Sequence, residues 1–213
     1  MHDSTSIPGV RIALRDWRVA DLERYAHWLG PGHRWQEFDG PYYPRPTAEQ
    51  IADDIARKRA RIEAGALPMP RRSLVVAPLD TDLLLGTVTW IWESEETNWL
   101  KVGIVLYDPE WWGRGIGYEA LGLWSDYLFR AMPALVRLDL RTWSGNRGMM
   151  RLAEKLGYLE EARFRQARIV DGRYYDGLGY GVLRTEWERR YPAGFAAHLQ
   201  HREMPPRCPP ASR

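Results

Sequence analysis

Apolar residues fall at every second position through Leu100–Tyr107, where Val102, Ile104 and Leu106 alternate and Gly103 leaves one place bare, so the spacing predicts a strand. Asp108-Pro109 ends it, because proline cannot donate to a ladder and holds its predecessor extended. From Ile116 the apolar residues Ala120, Leu121, Trp124, Tyr127 and Leu128 switch to helical spacing. Between strand and helix lies a loop with glycine at Gly113, Gly115 and Gly117.

The same patterning divides the rest of the chain. Val10–Leu14 reads as a strand, and Asp21–Leu29 as a helix with Leu22, Tyr25, Ala26 and Leu29 on one face, stopped at Gly30. Pro31–Pro46 is an aromatic, proline-rich loop. Thr47-Ala48-Glu49-Gln50 forms a capping box for a helix to about Ala64, with Ile51, Ile55 and Ile62 inward and Arg57, Lys58, Arg59 and Arg61 on a solvated face. Leu74–Ala77, Leu83–Trp92 and Trp99–Tyr107 follow as strands of an antiparallel meander. Leu135–Arg141 alternates as a strand, and Asn146–Leu156 is a helix, with Ser144 expected to cap a helix start. Tyr158–Ile169 and Arg173–Leu183 flank Asp171-Gly172, a strong hairpin signal. From Pro192 the composition changes, so residues 1–191 are expected to form the domain and 192–213 a proline-rich tail.

Composition narrows the classes. The chain has 213 residues, enough for one sizeable core, and 30 Lys+Arg against 28 Asp+Glu leave a net charge of +2. Neither bulk nucleic-acid binding nor a membrane partner is expected. A single cysteine, Cys208, excludes an internal disulfide and fits a reducing compartment. No apolar stretch is long enough to span a bilayer and no secretory leader is evident at Met1–Val10, so a cytoplasmic protein is expected. Eleven Trp and eleven Tyr are mostly core or subunit-contact residues on this reading, and self-association as a homodimer is expected from them.

The glycine loop carries the chemistry. Glycines let the backbone approach a ligand and adopt positive φ, while the unpaired N–H groups of the helix start attract anions. A charge-assisted hydrogen bond contributes about 1.5–3 kcal/mol, so several N–H groups could hold a diphosphate without charged side chains. Arg114 adds a cation at the mouth. Trp112-Gly113-Arg114-Gly115-Ile116-Gly117 resembles the signature of the GNAT superfamily of N-acetyltransferases, Gln/Arg-x-x-Gly-x-Gly/Ala, with Trp112 departing from the usual Gln or Arg. A second block, Leu140–Tyr158, resembles that family's later strand and helix, with Asn146 at its asparagine and Glu154, Lys155, Gly157 and Tyr158 at its ending. The resemblance covers roughly residues 83–187 and extends to the branch of ribosomal-protein alanine and spermidine acetyltransferases.

The resemblance implies an α+β, GNAT-like fold: a mixed, mostly antiparallel twisted sheet of about seven strands with helices on both faces. It implies acetyl-CoA as co-substrate and a primary amine as acceptor: a small amine, a polyamine or a protein N-terminus. Val105, Leu106, Tyr107, Trp112, Gly113, Arg114, Gly115, Ile116, Gly117, Tyr118 and Asn146 are the expected cofactor contacts, with backbone N–H groups of Val105–Tyr107 meeting the oxyanion. The family's catalytic positions are not conserved in kind: the glutamate before the loop is Lys101, and the acid positions are Met149 and Ala153. Glu37 is the candidate base, with Asp39 and Glu93 as further candidates. The aromatics of Trp35–Tyr43 and Trp90–Trp99 beside Glu37, Asp39, Glu93, Glu95 and Glu96 suggest a cationic acceptor. No metal is expected, His198 and His201 lacking matched ligands. A binding protein that keeps the acyl-CoA site without turnover is the alternative; a dinucleotide enzyme is disfavoured because strand–helix alternation is absent upstream.

Overall fold

The computed structural model describes residues 4–203; Cys208 and the end of the expected tail, 204–213, lie outside the described residues. Among the described residues eight strands form one sheet: β1 Ser6–Pro8, β2 Ile12–Arg15, β3 Ser73–Pro78, β4 Gly86–Ser94, β5 Trp99–Leu106, β6 Arg137–Trp143, β7 Leu159–Val170 and β8 Arg173–Leu183, in the order β1-β2-β3-β4-β5-β6-β8-β7. The expected α+β class and the meander hold. The eighth strand, β1, has three residues and no alternation to betray it, and pairs only with β2.

Among the described residues six α-helices flank the sheet: α1 Asp21–Leu29, α2 Ala48–Glu63, α3 Ile116–Ala131, α4 Arg147–Leu156, α5 Arg184–Arg190 and α6 Phe195–Glu203. Two cores result. The larger packs α3, whose Leu121 and Trp124 are fully buried, with α4, α5 and α6 against Val88, Leu100, Leu138 and Leu140. The smaller lies on the other face, where Trp17, Leu22, Trp35, Val75 and Tyr107 meet Ile55 and Ile62 of α2.

Local chemistry explains most boundaries. Thr47 accepts from Gln50 N at 3.2 Å while Gln50 reaches back to Thr47 N at 2.9 Å, the reciprocal capping box. Asp171 and Gly172 both take positive φ, 49° and 71°, as a tight hairpin turn requires. Lys58, expected on a solvated face, instead sets its ammonium 4.0 Å from the centre of the Trp17 ring, and the resulting desolvation lowers its pKa.

The segment expected as a tail begins with structure. Phe195 of α6 is fully buried and fills the space beside Gly122, where a Cβ would stand 2.0 Å from its Cζ. An apolar residue this well seated outweighs the proline content around it, since burying one aromatic side chain contributes about 1.5–3 kcal/mol.

Candidate active site

Strand β5 is hydrogen-bonded along its length to β4 but pairs in parallel with β6 only at Leu100↔Leu138 and Lys101↔Asp139. Beyond Lys101 the two strands splay apart. Residues 87, 89 and 91 of β4 pair with 105, 103 and 101, while Trp90 N turns away to Arg72 O, so the alternation of an antiparallel ladder leaves the backbone of Val102, Ile104 and Leu106 facing the gap. Leu106 O is used there, accepting from Trp112 Nε1 at 2.9 Å.

A cleft of about 1480 Å³ fills the splay and has two arms. One is lined by Trp111, Trp112, Gly113, Gly115, Gly117 and Tyr118, and by Asn146, Met149 and Lys155 at α4. The other is lined by the aromatic loop from Arg34 to Arg45, the β4 residues Thr89, Ile91 and Glu93, and Lys101, Arg141, Phe164 and Arg168.

The first arm is built from backbone. Gly113 and Gly115 take φ of 73° and 83°, where a side chain would be strained. Gly117 differs from the expectation: it is the second residue of α3, and its bareness makes room instead, since a Cβ would stand 3.3 Å from Leu152 Cδ2. Space around a Cβ at Gly113 is open, as a ligand cradle needs. Ile116 is buried in the larger core, and Arg114 is exposed outside the cleft with its carbonyl accepting from Arg11 Nη1 at 2.6 Å. Neither of these two residues is among those that line the cleft.

Sequence reasoning missed the group that fastens this arm. Glu119, in the first turn of α3, is fully buried; its Oε1 accepts from Val10 N at 2.6 Å, Arg11 N at 2.9 Å and Ile12 N at 3.2 Å, and Arg11 pairs with its Oε2 at 3.3 Å. A carboxylate near a helix N-terminus is favoured by the dipole, and these donors replace the water it loses. An acidic residue inside an otherwise apolar helix face was the signal. The same bonds start β2 at Ile12 rather than Val10.

Asn146 lines the cleft but is held on both sides: its Oδ1 caps α4 by accepting from Met149 N at 3.0 Å, and its Nδ2 donates to Phe38 O at 3.2 Å. Asn146 is thus the helix cap, and Ser144, expected in that role, accepts from Asp176 N at 2.9 Å. Of the three backbone donors expected at Val105–Tyr107, Tyr107 N donates to Leu85 O at 3.0 Å and Val105 faces β4, leaving Leu106 N–H toward the gap. The Tyr107 ring is buried among Trp28, Trp35 and Tyr25, its hydroxyl 3.1 Å from Thr87 Oγ1, and burial holds its pKa well above the ordinary value. Tyr118 Oη lies 3.0 Å from His198 Nε2 of α6.

The candidate bases separate. Glu37 is exposed and does not line the cleft. Asp39 is exposed as well but lines the cleft, and desolvation by surrounding protein raises its carboxyl, against a smaller pull downward from Arg45. Glu93 lines it too, yet pairs with Lys101 at 2.7 Å, and that hydrogen bond lowers its pKa. Glu95 and Glu96 are exposed on the β4–β5 turn outside the cleft, so the acidic pocket expected around the aromatics is not assembled. Ala153 is fully buried in the larger core and Met149 lines the cleft; neither carries a proton to donate. Among the described residues no group of three or more His, Cys, Asp or Glu could hold a metal ion, and no helix is long and apolar enough to cross a membrane.

A strand pair splayed beside a glycine loop that opens a helix is the architecture of an acetyltransferase, and the sequence profile described as "Acetyltransferase (GNAT) domain" matches residues 11–159. The chain belongs to the GNAT family. Among curated relatives, the SPbeta prophage-derived uncharacterized N-acetyltransferase YokL of Bacillus subtilis is 29% identical over 85 residues, 40% of this chain and 47% of that protein. The match thus spans about half that relative's length. Among solved structures, a GNAT-family acetyltransferase from Bacillus anthracis superposes with a TM-score of 0.67 at 19% identity, covering 85% of this chain and all of that one. Mutant forms of the spermidine/spermine N-acetyltransferase SpeG from Vibrio cholerae superpose at 0.63 with 20% identity, covering 84% of this chain and 98% of that one. Identities this low speak to the fold alone.

Proposed function

We propose that the protein transfers the acetyl group of acetyl-CoA to a primary amine by direct attack on the thioester. The observation that carries this reading is the parting of β5 from β6 beyond Lys101, which opens unpaired strand backbone onto the Gly113–Gly117 loop at the start of α3. The residues present fit such a co-substrate: the loop and helix N-terminus suit a diphosphate, and the free edge of β5 suits an amide-bearing chain.

The amine must be neutral to attack. A lysine-like amine of pKa near 10.4 loses its proton at pH 7 at a cost of about 4–5 kcal/mol, an α-amine near 8 at only about 1–1.5 kcal/mol. Asp39 replaces Glu37 as the proposed base, because it faces the cleft and its raised carboxyl is the better proton acceptor. The new C–N bond forms as the C–S bond breaks; the proton leaves through Asp39 and the sulfur departs as thiolate, tolerable for a thiol of pKa about 8.5 without a dedicated acid. Leu106 N–H is the proposed oxyanion donor. A cytoplasmic homodimer is also proposed, the association supported by Ile169 and Tyr174, which pair across the β7–β8 hairpin and leave 52% and 63% of their surface exposed. Light scattering that finds only monomer removes the dimer.

The activity is tested by following release of CoA thiol from acetyl-CoA with and without amine acceptors. Release only when an acceptor is present supports transfer; saturable acetyl-CoA binding with no release for any amine leaves a binding protein instead.

A further inference from the structure

The second arm of the cleft is richer in positive charge than transfer to a plain amine requires. Arg34, Arg45, Lys101, Arg141 and Arg168 line it, against the carboxylates of Asp39 and Glu93. Three of these cations are engaged locally. Lys101 and Glu93 neutralise each other; Arg45 donates to the carbonyls of Gln36 and Asp39; Arg34 lies 5.7 Å over the Trp112 ring.

Arg141 and Arg168 are engaged too, Arg141 with Asp139 and Glu93 and Arg168 with Tyr42 and Ala167, but they share one face of the sheet, opposite Gly179 and Tyr175 of β8. The register of β7 against β8 slips between Phe164 and Arg168, with Gln166 at φ 54° and its N–H held by Asp176 Oδ1 at 3.0 Å. This bulge re-aims Arg168 at the cleft. Its guanidinium lies 4.6 Å from the centre of Tyr42, its Nη1 donates to Ala167 O at 3.1 Å, and its Nε is buried without a hydrogen-bond partner. Arg168 lines the cleft, and its guanidinium keeps N–H donors on Nη1 and Nη2 beyond the one given to Ala167 O, which can meet a ligand oxygen. Arg141 leaves 37% of its side chain exposed and stands 3.9 Å from an oxygen of Asp139, whose other oxygen is taken by Arg137.

Two glycines of β8 make room for these guanidiniums on that face. A Cβ on Gly177 would lie 3.8 Å from Arg168 Nε, and one on Gly179 would lie 2.3 Å from Arg141 Nη1. Gly177 and Gly179 are two apart on β8, hence on one face and about 6.6 Å apart. A planar carboxylate between two guanidinium groups is a favoured pairing.

We propose that the acceptor is a small primary amine that also carries a carboxylate, gripped by Arg168 and Arg141 while the amine points toward Asp39. It is an amino-acid-like molecule, not a polyamine. This rests on the acetyl-transfer reading of the cleft.

The test uses the full chain saturated with CoA and two product analogues, N-acetylphenylalanine and N-acetylphenylalaninamide, chosen because Tyr42, Trp143 and Phe164 wall this arm. Calorimetry is expected to find the acid bound at least about tenfold tighter than the amide. Arg168→Gln and Arg141→Gln should each bring the acid down to the level of the amide, with CoA affinity and melting temperature unchanged. Equal binding of the two, tighter binding of N-acetylspermidine, or no binding of the acid overturns the proposal. Release of CoA thiol is measured in parallel with phenylalanine, its amide and spermidine. Acid preference in binding without thiol release for any acceptor upholds the carboxylate site and overturns acetyl transfer; thiol release with no preference for the acid does the reverse.

Discussion

The two arms of the cleft are built on different principles. The arm toward α3 is made of backbone: positive-φ glycines, a helix N-terminus and a strand edge, with Glu119 fastening the helix start to residues 10–12. The arm toward the aromatic loop is made of side chains drawn from separate elements, Asp39 from the loop, Glu93 from β4, Lys101 from β5, Arg141 from β6 and Arg168 from β7. A backbone site is insensitive to most substitutions and suits a co-substrate common to many enzymes. A side-chain site changes with each residue and suits selection of an acceptor.

The sharpest way to break this contrast is Glu119→Ala. It leaves Val10, Arg11 and Ile12 N–H groups buried or half-buried without their acceptor, and about 3–5 kcal/mol of stability should be lost in urea unfolding. A loss below about 1 kcal/mol would mean that the carboxylate does not fasten the arm.

Next come the glycines. Valine at Gly115 must adopt a φ of 83°, and valine at Gly117 crowds Leu152 while projecting into the cleft. Each should weaken acetyl-CoA binding by about a hundredfold or more, some 2.7 kcal/mol, in protein whose circular dichroism is unchanged. Undiminished affinity in folded Gly117→Val would place the diphosphate elsewhere.

Asp39→Asn and Glu37→Gln then divide the candidate bases. General-base catalysis contributes roughly a hundredfold or more, so Asp39→Asn should slow turnover by about that factor. Because the Asp39 carboxyl is raised, the acid limb of the wild-type rate profile should sit above the usual carboxylate range and vanish in the variant. Glu37→Gln should change neither turnover nor the profile; if it does and Asp39→Asn does not, the roles reverse.

The smallest effect concerns Lys101. Glu93 is lowered from its ordinary value near 4.5 by this partner, so the pair adds stability above that pH and loses it as the pH falls through the lower folded value. Both side chains keep 29% of their surface exposed, and screening holds the contribution to about 1 kcal/mol or less. Lys101→Gln should cost no more than that at pH 7 and nothing near pH 2; a larger loss would mark the pair as structural.

Apolar alternation, helical spacing, the Thr47–Gln50 box, the Asp171-Gly172 turn and the glycine loop are local signals, and seven of the eight described strands, the four helices α1 to α4 and the position of the glycine loop were legible from them, while β1, α5 and α6 were not. Each depends on residues close in the chain, whose dihedral preferences and periodicity act before any tertiary contact forms. The remaining features are long-range. Glu119 meets residues more than a hundred positions away, Lys101 pairs across a strand with Glu93, Phe195 finds the gap at Gly122, and a bulge turns Arg168 toward Tyr42. Glu37 and Asp39 are two residues apart, chemically alike and both exposed, yet of the two only Asp39, just past the short helix at Arg34–Glu37, lines the cleft. A side chain's direction depends on what packs behind it, and that packing is assembled from elements whose separation in sequence carries no record of their distance in space.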